Sequence, residues 1–134
     1  MGEKAQSSSS EAKMALLYWV RLQLEDYVAV HVLPEIQDFS RSWRTGIAFC
    51  LLIHRHDPSL LPSIFTDHIH RDTSERQICY DLLNLAFDLA TTHMNIPRYL
   101  EPEDLTDVDY PHEPSVMLYV SAYYSAMSKQ QQED

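Results

Sequence analysis

Apolar residues recur along most of the chain at the spacing of an α-helix. Leu17, Val20, Leu24 and Val28 fall at i, i+3, i+7 and i+11, which puts them on one helical face. Ser8 and Glu11 ahead of them have capping-box spacing and predict a helix start there. β-Branched residues and Pro34 predict its end near Tyr27, with residues 28–37 as a loop. From Asp38 to Pro58 the pattern tightens. Trp43, Ile47 and Leu51 share one face, and Phe49, Ile53 and His56 approximate another. A segment apolar almost all round predicts a buried central helix. Gly46 within it would cost about 1 kcal/mol relative to alanine, and such a glycine marks close approach by a neighbouring backbone. Pro58 and Pro62 end that region.

The second half repeats the helical signal. Ser74 and Gln77 have capping-box spacing, and Ile78, Leu82, Leu85 and Leu89 follow on one face with Ala86 and Ala90 beside them. That helix should end near His93. Pro97 and Pro102 bracket a short connection, Glu103 to Asp107 suit a single turn, and Pro114 suits the first turn of a last helix. Val116, Val120, Tyr123 and Met127 mark that helix's buried face. Residues 1–10, ending in four serines, read as a linker or tag remnant. Residues 129–134 read as a polar tail that frays. The pattern predicts an all-α fold of four main helices, with no strand and no repeat. The expected core includes Trp19, Trp43, Ile47, Phe49, Leu51, Leu82, Leu85, Val120 and Tyr123.

Composition narrows the class of partner. The chain has 134 residues, 45% of them apolar, which suits one domain with one core. Only two glycines are present, which argues against hairpins and phosphate-cradling loops. The formal net charge of −10 repels nucleic acid and anionic membrane on average. No apolar run reaches transmembrane length, and the N-terminus lacks a signal-peptide core, so a soluble cytoplasmic protein is expected. Cys50 and Cys79 each sit in an apolar helical pattern and read as buried thiols in a reducing compartment.

Three features could carry chemistry, and each has a plainer reading. His54, His56 and Asp57, with His68 and His70 nearby, suggest a metal cluster. His54 and His56 are at i and i+2, however, and point to different helix faces, whereas helical zinc pairs favour i, i+4. At a helix C-terminus, histidine and Arg55 complement the dipole instead. The acidic run Glu101, Glu103, Asp104, Asp107 and Asp109 lacks the glycine and terminal glutamate of a calcium loop, and reads as a solvated loop capping a short helix. No nucleophile elbow, Walker sequence or dinucleotide fingerprint occurs. No enzyme activity, metal or cofactor is expected.

Specific strings point to a family. Ala15-Leu16-Leu17-Tyr18-Trp19 is followed by Asp38-Phe39-Ser40-Arg41-Ser42-Trp43-Arg44-Thr45-Gly46-Ile47-Ala48-Phe49 and Ile53-His54-Arg55-His56-Asp57-Pro58. Then come Ile96-Pro97-Arg98-Tyr99-Leu100-Glu101-Pro102-Glu103-Asp104-Leu105, Asp107-Val108-Asp109-Tyr110-Pro111 and Val116-Met117-Leu118-Tyr119-Val120. In this order the strings resemble a calponin homology (CH) domain spanning residues 11–128. The likeness is greatest to the second CH domain of tandem actin-binding domains of the α-actinin, spectrin and nesprin type. The resemblance implies four main helices plus short connecting ones, with Trp43 as a core anchor.

The resemblance also implies a role. In such pairs the first CH domain makes most of the contact with filamentous actin. The second packs against the first and adds affinity, stability and regulation. The family's proposed actin-contacting segment maps to Met14–Tyr27, which makes Lys13, Tyr18, Arg21, Leu22 and Gln23 the candidate contacts. Leu22 and Gln23 stand where the family commonly carries basic residues, and Glu25 and Asp26 add negative charge nearby. Against an acidic filament that implies weak direct contact. Tyr18 and Leu22 are alternatively a contact for another CH domain. Some relatives bind phosphoinositide; here Arg41 and Arg44, opposed by Glu35 and Asp38, would make at most a weak headgroup site, so a membrane phosphoinositide is not the expected partner. Loops 28–37 and 59–73 are longer than the family pattern. The alternative function is a single CH domain that serves as a protein-interaction module in signalling or on microtubules.

Overall fold

The computed structural model describes residues 2–61 and 75–133, with side chains described over residues 10–61 and 75–129. Five α-helices follow in order: α1 (Gly2–Ala29), α2 (Ile47–His56), α3 (Arg76–Met94), α4 (Glu103–Thr106) and α5 (Glu113–Glu133). Single 3₁₀ turns at Arg41–Trp43 and Pro58–Leu60 flank α2. No strand occurs among the described residues, so the fold is all-α. The ten-residue α2 is the hub. It packs against both α3 and α1, and α5 closes against α1.

Burial follows from sequence in the middle of the molecule. Six consecutive α2 residues, Ala48 to Ile53, are buried, as expected for a helix enclosed on all sides. Trp43 is fully buried; its ring stacks on Phe39 at 6.1 Å and tilts against Phe49 at 4.7 Å. Its indole N–H donates to the Asp38 carbonyl at 2.8 Å, which satisfies the one polar atom that the burial would otherwise strand. Phe49 also meets Phe87, Tyr119 and Tyr123, so aromatic rings from α2, α3 and α5 form one cluster. The Tyr123 hydroxyl donates to Tyr119 Oη at 3.1 Å. Burial pushes the Tyr119 phenol up to about 12 and Tyr123 well above its ordinary value.

The structure corrects several boundaries. Asp38 to Pro58 is not one helix: a 3₁₀ turn comes first, and Gly46 is the N-cap of α2 with φ +86°. The glycine is needed for that left-handed turn rather than tolerated mid-helix. The close approach is real, since a Cβ at Gly46 would lie 2.9 Å from the Leu83 backbone nitrogen and 3.0 Å from Leu82 Cβ. α1 begins at Gly2, well before the Ser8–Glu11 spacing, and α5 continues through the polar tail to Glu133. Neither extension contains a proline, and a helix already nucleated on a packed segment propagates at little cost. α3 begins at Arg76 after an N-cap Glu75 that makes no side-chain cap bond; Ser74 and most of loop 59–73 lie outside the described residues.

The buried face of α3 is also rotated from the expected one. Cys79, Leu82, Leu83, Ala86, Phe87, Ala90 and Met94 are buried, whereas Ile78, Leu85 and Leu89 are half-buried at the margin. Phe87 pulls the face round, because it is drawn into the aromatic cluster. Trp19 and Ile47 are likewise half-buried, while Leu51, Leu82 and Val120 are fully inside. α1 ends at Ala29 in a Schellman closure: Val32 N–H donates to the Tyr27 carbonyl and His31 N–H to that of Val28, with His31 at φ +64°.

Candidate partner-binding surface

The outward face of α1 is apolar at its centre. Met14, Tyr18 and Leu22, spaced four apart, are 57%, 66% and 43% exposed. Below Tyr18 and Leu22 lies a groove of about 500 Å³, walled by Glu25 and Val28 of α1 and by Glu35 and Ile36 of the following loop. Gln23 beside it is half-buried. A second groove, of about 550 Å³, runs between α1 and α5 and is lined by Leu16, Pro114, Met117, Leu118 and Tyr124.

The two cations of this face are held by the domain itself. Lys13 Nζ lies 3.0 Å from Glu113 Oε1 and ties α1 to the start of α5. Arg21 Nε donates to the Ile36 carbonyl at 2.9 Å and lies 3.3 Å from Glu35 Oε1, which fixes the long loop against α1. What α1 presents outward is therefore an apolar strip with Glu25 and Asp26 exposed beside it.

Arg41 and Arg44, adjacent in sequence, do different things. Arg44 reaches across to α4 and donates to the Leu105 and Thr106 carbonyls at 3.3 and 3.4 Å, at the helix C-terminus where a cation is favoured. The Arg41 guanidinium sits 5.0 Å from the centroid of the exposed Tyr110 ring. The two do not converge on one headgroup position.

His54 serves a structural contact. His54 Nδ1 is 2.7 Å from the Tyr27 hydroxyl and its ring meets Tyr27 edge-on, which links α2 to α1. Desolvation lowers the His54 imidazole and raises the Tyr27 phenol, which favours the neutral form of each; which of the two donates depends on the imidazole tautomer. Among the described residues no group of His, Cys, Asp and Glu could hold a metal ion; His68 and His70 lie outside them. In the acidic run, Asp104 Oδ2 accepts from the Glu101 N–H at 2.9 Å, Glu101 pairs with Arg98, and Asp107 pairs with Arg76 at 2.6 Å. Arg98 also bonds Asp88 and Asn84 and covers the Phe87 ring. The Glu101 links to Asp104 and Arg98 are local, at i, i+3, whereas Arg76 with Asp107 and Arg98 with Asn84 and Asp88 join separate elements, and nothing in local spacing announces those.

The fold and these strings define a helical interaction domain, and comparison with known proteins identifies its kind. The calponin homology (CH) domain model matches residues 10–129, and the chain belongs to that family. Alpha-actinin-like protein 1 of Schizosaccharomyces pombe is 42% identical over 117 residues, which is 87% of this chain and 17% of that protein. Alpha-actinin-1 of Homo sapiens is 36% identical over 119 residues, covering 89% and 12%. MICAL-like protein 1 of Homo sapiens is 39% identical over 111 residues, covering 83% and 12%. The chain thus spans about an eighth to a sixth of the length of these relatives. Among the described residues, no helix is long and apolar enough to cross a membrane.

Proposed function

We propose that this chain is a non-catalytic second CH domain of a cytoplasmic actin-binding module. It packs with a first CH domain and adds weak or regulatory contacts to filamentous actin. The α-actinin likeness supports the actin-binding class. The observation that carries the auxiliary role is the state of α1: Lys13 and Arg21 are engaged by Glu113, Glu35 and the Ile36 carbonyl, and Tyr18 and Leu22 are what remain outward. An acidic filament finds few available cations there, whereas a neighbouring domain finds an apolar strip.

Co-sedimentation with actin filaments tests this reading. The isolated chain should leave the pellet nearly empty at low and at physiological salt, and the same chain joined behind a first CH domain should pellet saturably. Saturable, salt-sensitive pelleting of the isolated chain would remove the auxiliary role. A second reading, a lone CH domain that docks another protein, is favoured by the acidic rim that Glu25 and Glu35 give the α1 groove. A CH-type helical pattern encoded immediately upstream of residue 1 in the parent gene would favour the pair over this alternative.

A further inference from the structure

The eight tyrosines of the chain all lie among the described residues, and they differ sharply in what surrounds them. Tyr119 and Tyr123 are buried. Tyr27 is bonded to His54, and Tyr80 is half-buried, with Glu103 and Arg76 against it. Tyr18 and Tyr124 are exposed but sit within long helices, α1 and α5, and Tyr124 packs edge-on against Trp19. Tyr99 is 50% exposed and follows Pro97 and Arg98, with its ring edge-on to Tyr119. Tyr110 is different. It is 72% exposed, more than any other large apolar or aromatic side chain described, and lies in the irregular segment between α4 and α5.

The surroundings of Tyr110 are strongly charged on one side. Glu103, Asp104, Asp107 and Asp109 all precede it within seven residues. The segment is nonetheless anchored. Pro111 is buried and its carbonyl accepts from Ser40 Oγ at 2.7 Å, and Arg41 lies over the Tyr110 ring at 5.0 Å. An outward phenol on an anchored, non-helical segment can enter a catalytic cleft without unfolding the domain.

We propose that Tyr110 is a phosphorylation site for a protein tyrosine kinase that favours acidic residues ahead of its target, and that the phosphate recruits Arg41 away from the ring face. In the transfer, Tyr110 Oη gives its proton to the catalytic carboxylate of the kinase and bonds to the γ-phosphorus of a nucleoside triphosphate. The bond from that phosphorus to the β,γ-bridging oxygen breaks, and the electron pair leaves with the nucleoside diphosphate. Two features then hold the new dianion. Arg41 is a short swing away, and the N-terminus of α5, starting at Glu113, carries the positive end of its dipole. Asp107, Asp109 and Glu113 oppose it; Asp107 is already paired with Arg76, and Glu113 with Lys13. The modification deepens the negative charge of this end of the domain and withdraws Arg41 as a contact for any acidic partner.

The test is phosphorylation of the whole chain by an acid-directed tyrosine kinase catalytic domain with magnesium and ATP, with sites mapped by peptide mass spectrometry over time. Tyr110 should be modified at least tenfold faster than Tyr18, Tyr99 and Tyr124, and Tyr110→Phe should remove most of the incorporation. Phosphate spread evenly over the exposed tyrosines, or unchanged incorporation in Tyr110→Phe, would overturn the site. For the second half, ³¹P resonances of the phosphorylated chain and of its Arg41→Ala variant are titrated with pH. Arg41→Ala should raise the phosphate's second ionisation by several tenths of a pH unit. Coincident titrations would show that Arg41 does not hold the phosphate. Both side chains are exposed, so neither variant threatens folding.

Discussion

Single residues carry unequal weight in this domain. Trp43 fills the centre of the core and has its indole N–H satisfied by Asp38. Trp43→Ala should cost about 3–5 kcal/mol, measurable as a lowered urea midpoint; an unmoved midpoint would contradict its anchoring role. His31 is strained in the opposite sense. It holds the left-handed position that ends α1 at φ +64°, where a residue with a Cβ gives up about 1–2 kcal/mol. His31→Gly relieves that strain against roughly 0.5–1 kcal/mol of added chain entropy. A small rise in melting temperature is therefore expected. His54 makes stability depend on pH. Desolvation lowers its imidazole in the folded state, so the unfolded chain takes up the proton first on acidification. The contribution is complete above about 6.5, the ordinary imidazole value, and is lost as pH falls below it. Urea midpoints at pH 7.5 and 5.5 should differ in that direction, and His54→Gln should shrink the difference.

Elements show what patterning can and cannot foresee. Gly46 looked like a mid-helix glycine because apolar residues continue across it on both sides; it is a turn. Gly46→Ala would combine about 1–2 kcal/mol of left-handed strain with about 1–3 kcal/mol for displacing Leu83 and Leu82, a loss that differential scanning calorimetry would register. The contact of Gly46 with α3 was legible as close approach, because a glycine amid core residues marks a neighbouring backbone; the left-handed turn that also requires it was not. The rotated face of α3 was not legible. Periodicity gave Ile78, Leu82, Leu85 and Leu89 a face as good as the true one, and the choice was made by Phe87 joining rings from α2 and α5. The cation partners were hidden for the same reason. Arg44 on α4, Arg76 on Asp107 and Lys13 on Glu113 span 61, 31 and 100 residues of sequence. The family strings were legible because they are core and turn residues whose order the fold itself requires.

At the scale of the whole molecule, charge decides what the domain meets. A net charge of −10 repels an acidic filament at long range, and salt shortens that repulsion. Leu22 is exposed and Gln23 half-buried beside it, and a lysine at either position could carry its charge out to solvent along its flexible stem while leaving the Lys13 and Arg21 pairs in place. Leu22→Lys with Gln23→Lys should raise the actin-bound fraction severalfold in co-sedimentation at low salt, with the gain fading as salt rises. No gain would place any filament contact elsewhere than α1.

The buried Cys50 gives the domain an internal clock. Its thiol is fully enclosed and pushed up to about 12 by burial, and its Sγ lies 3.6 Å from the Leu82 carbonyl. An alkylating or disulfide reagent needs the thiolate and a path to it, so Cys50 reacts only when α2 and α3 separate. Cys79, at 8% exposure near the start of α3, is reached by a smaller opening. The ratio of the two labelling rates would report how often the end of α3 loosens for each time the whole core comes apart, with no probe introduced into the chain.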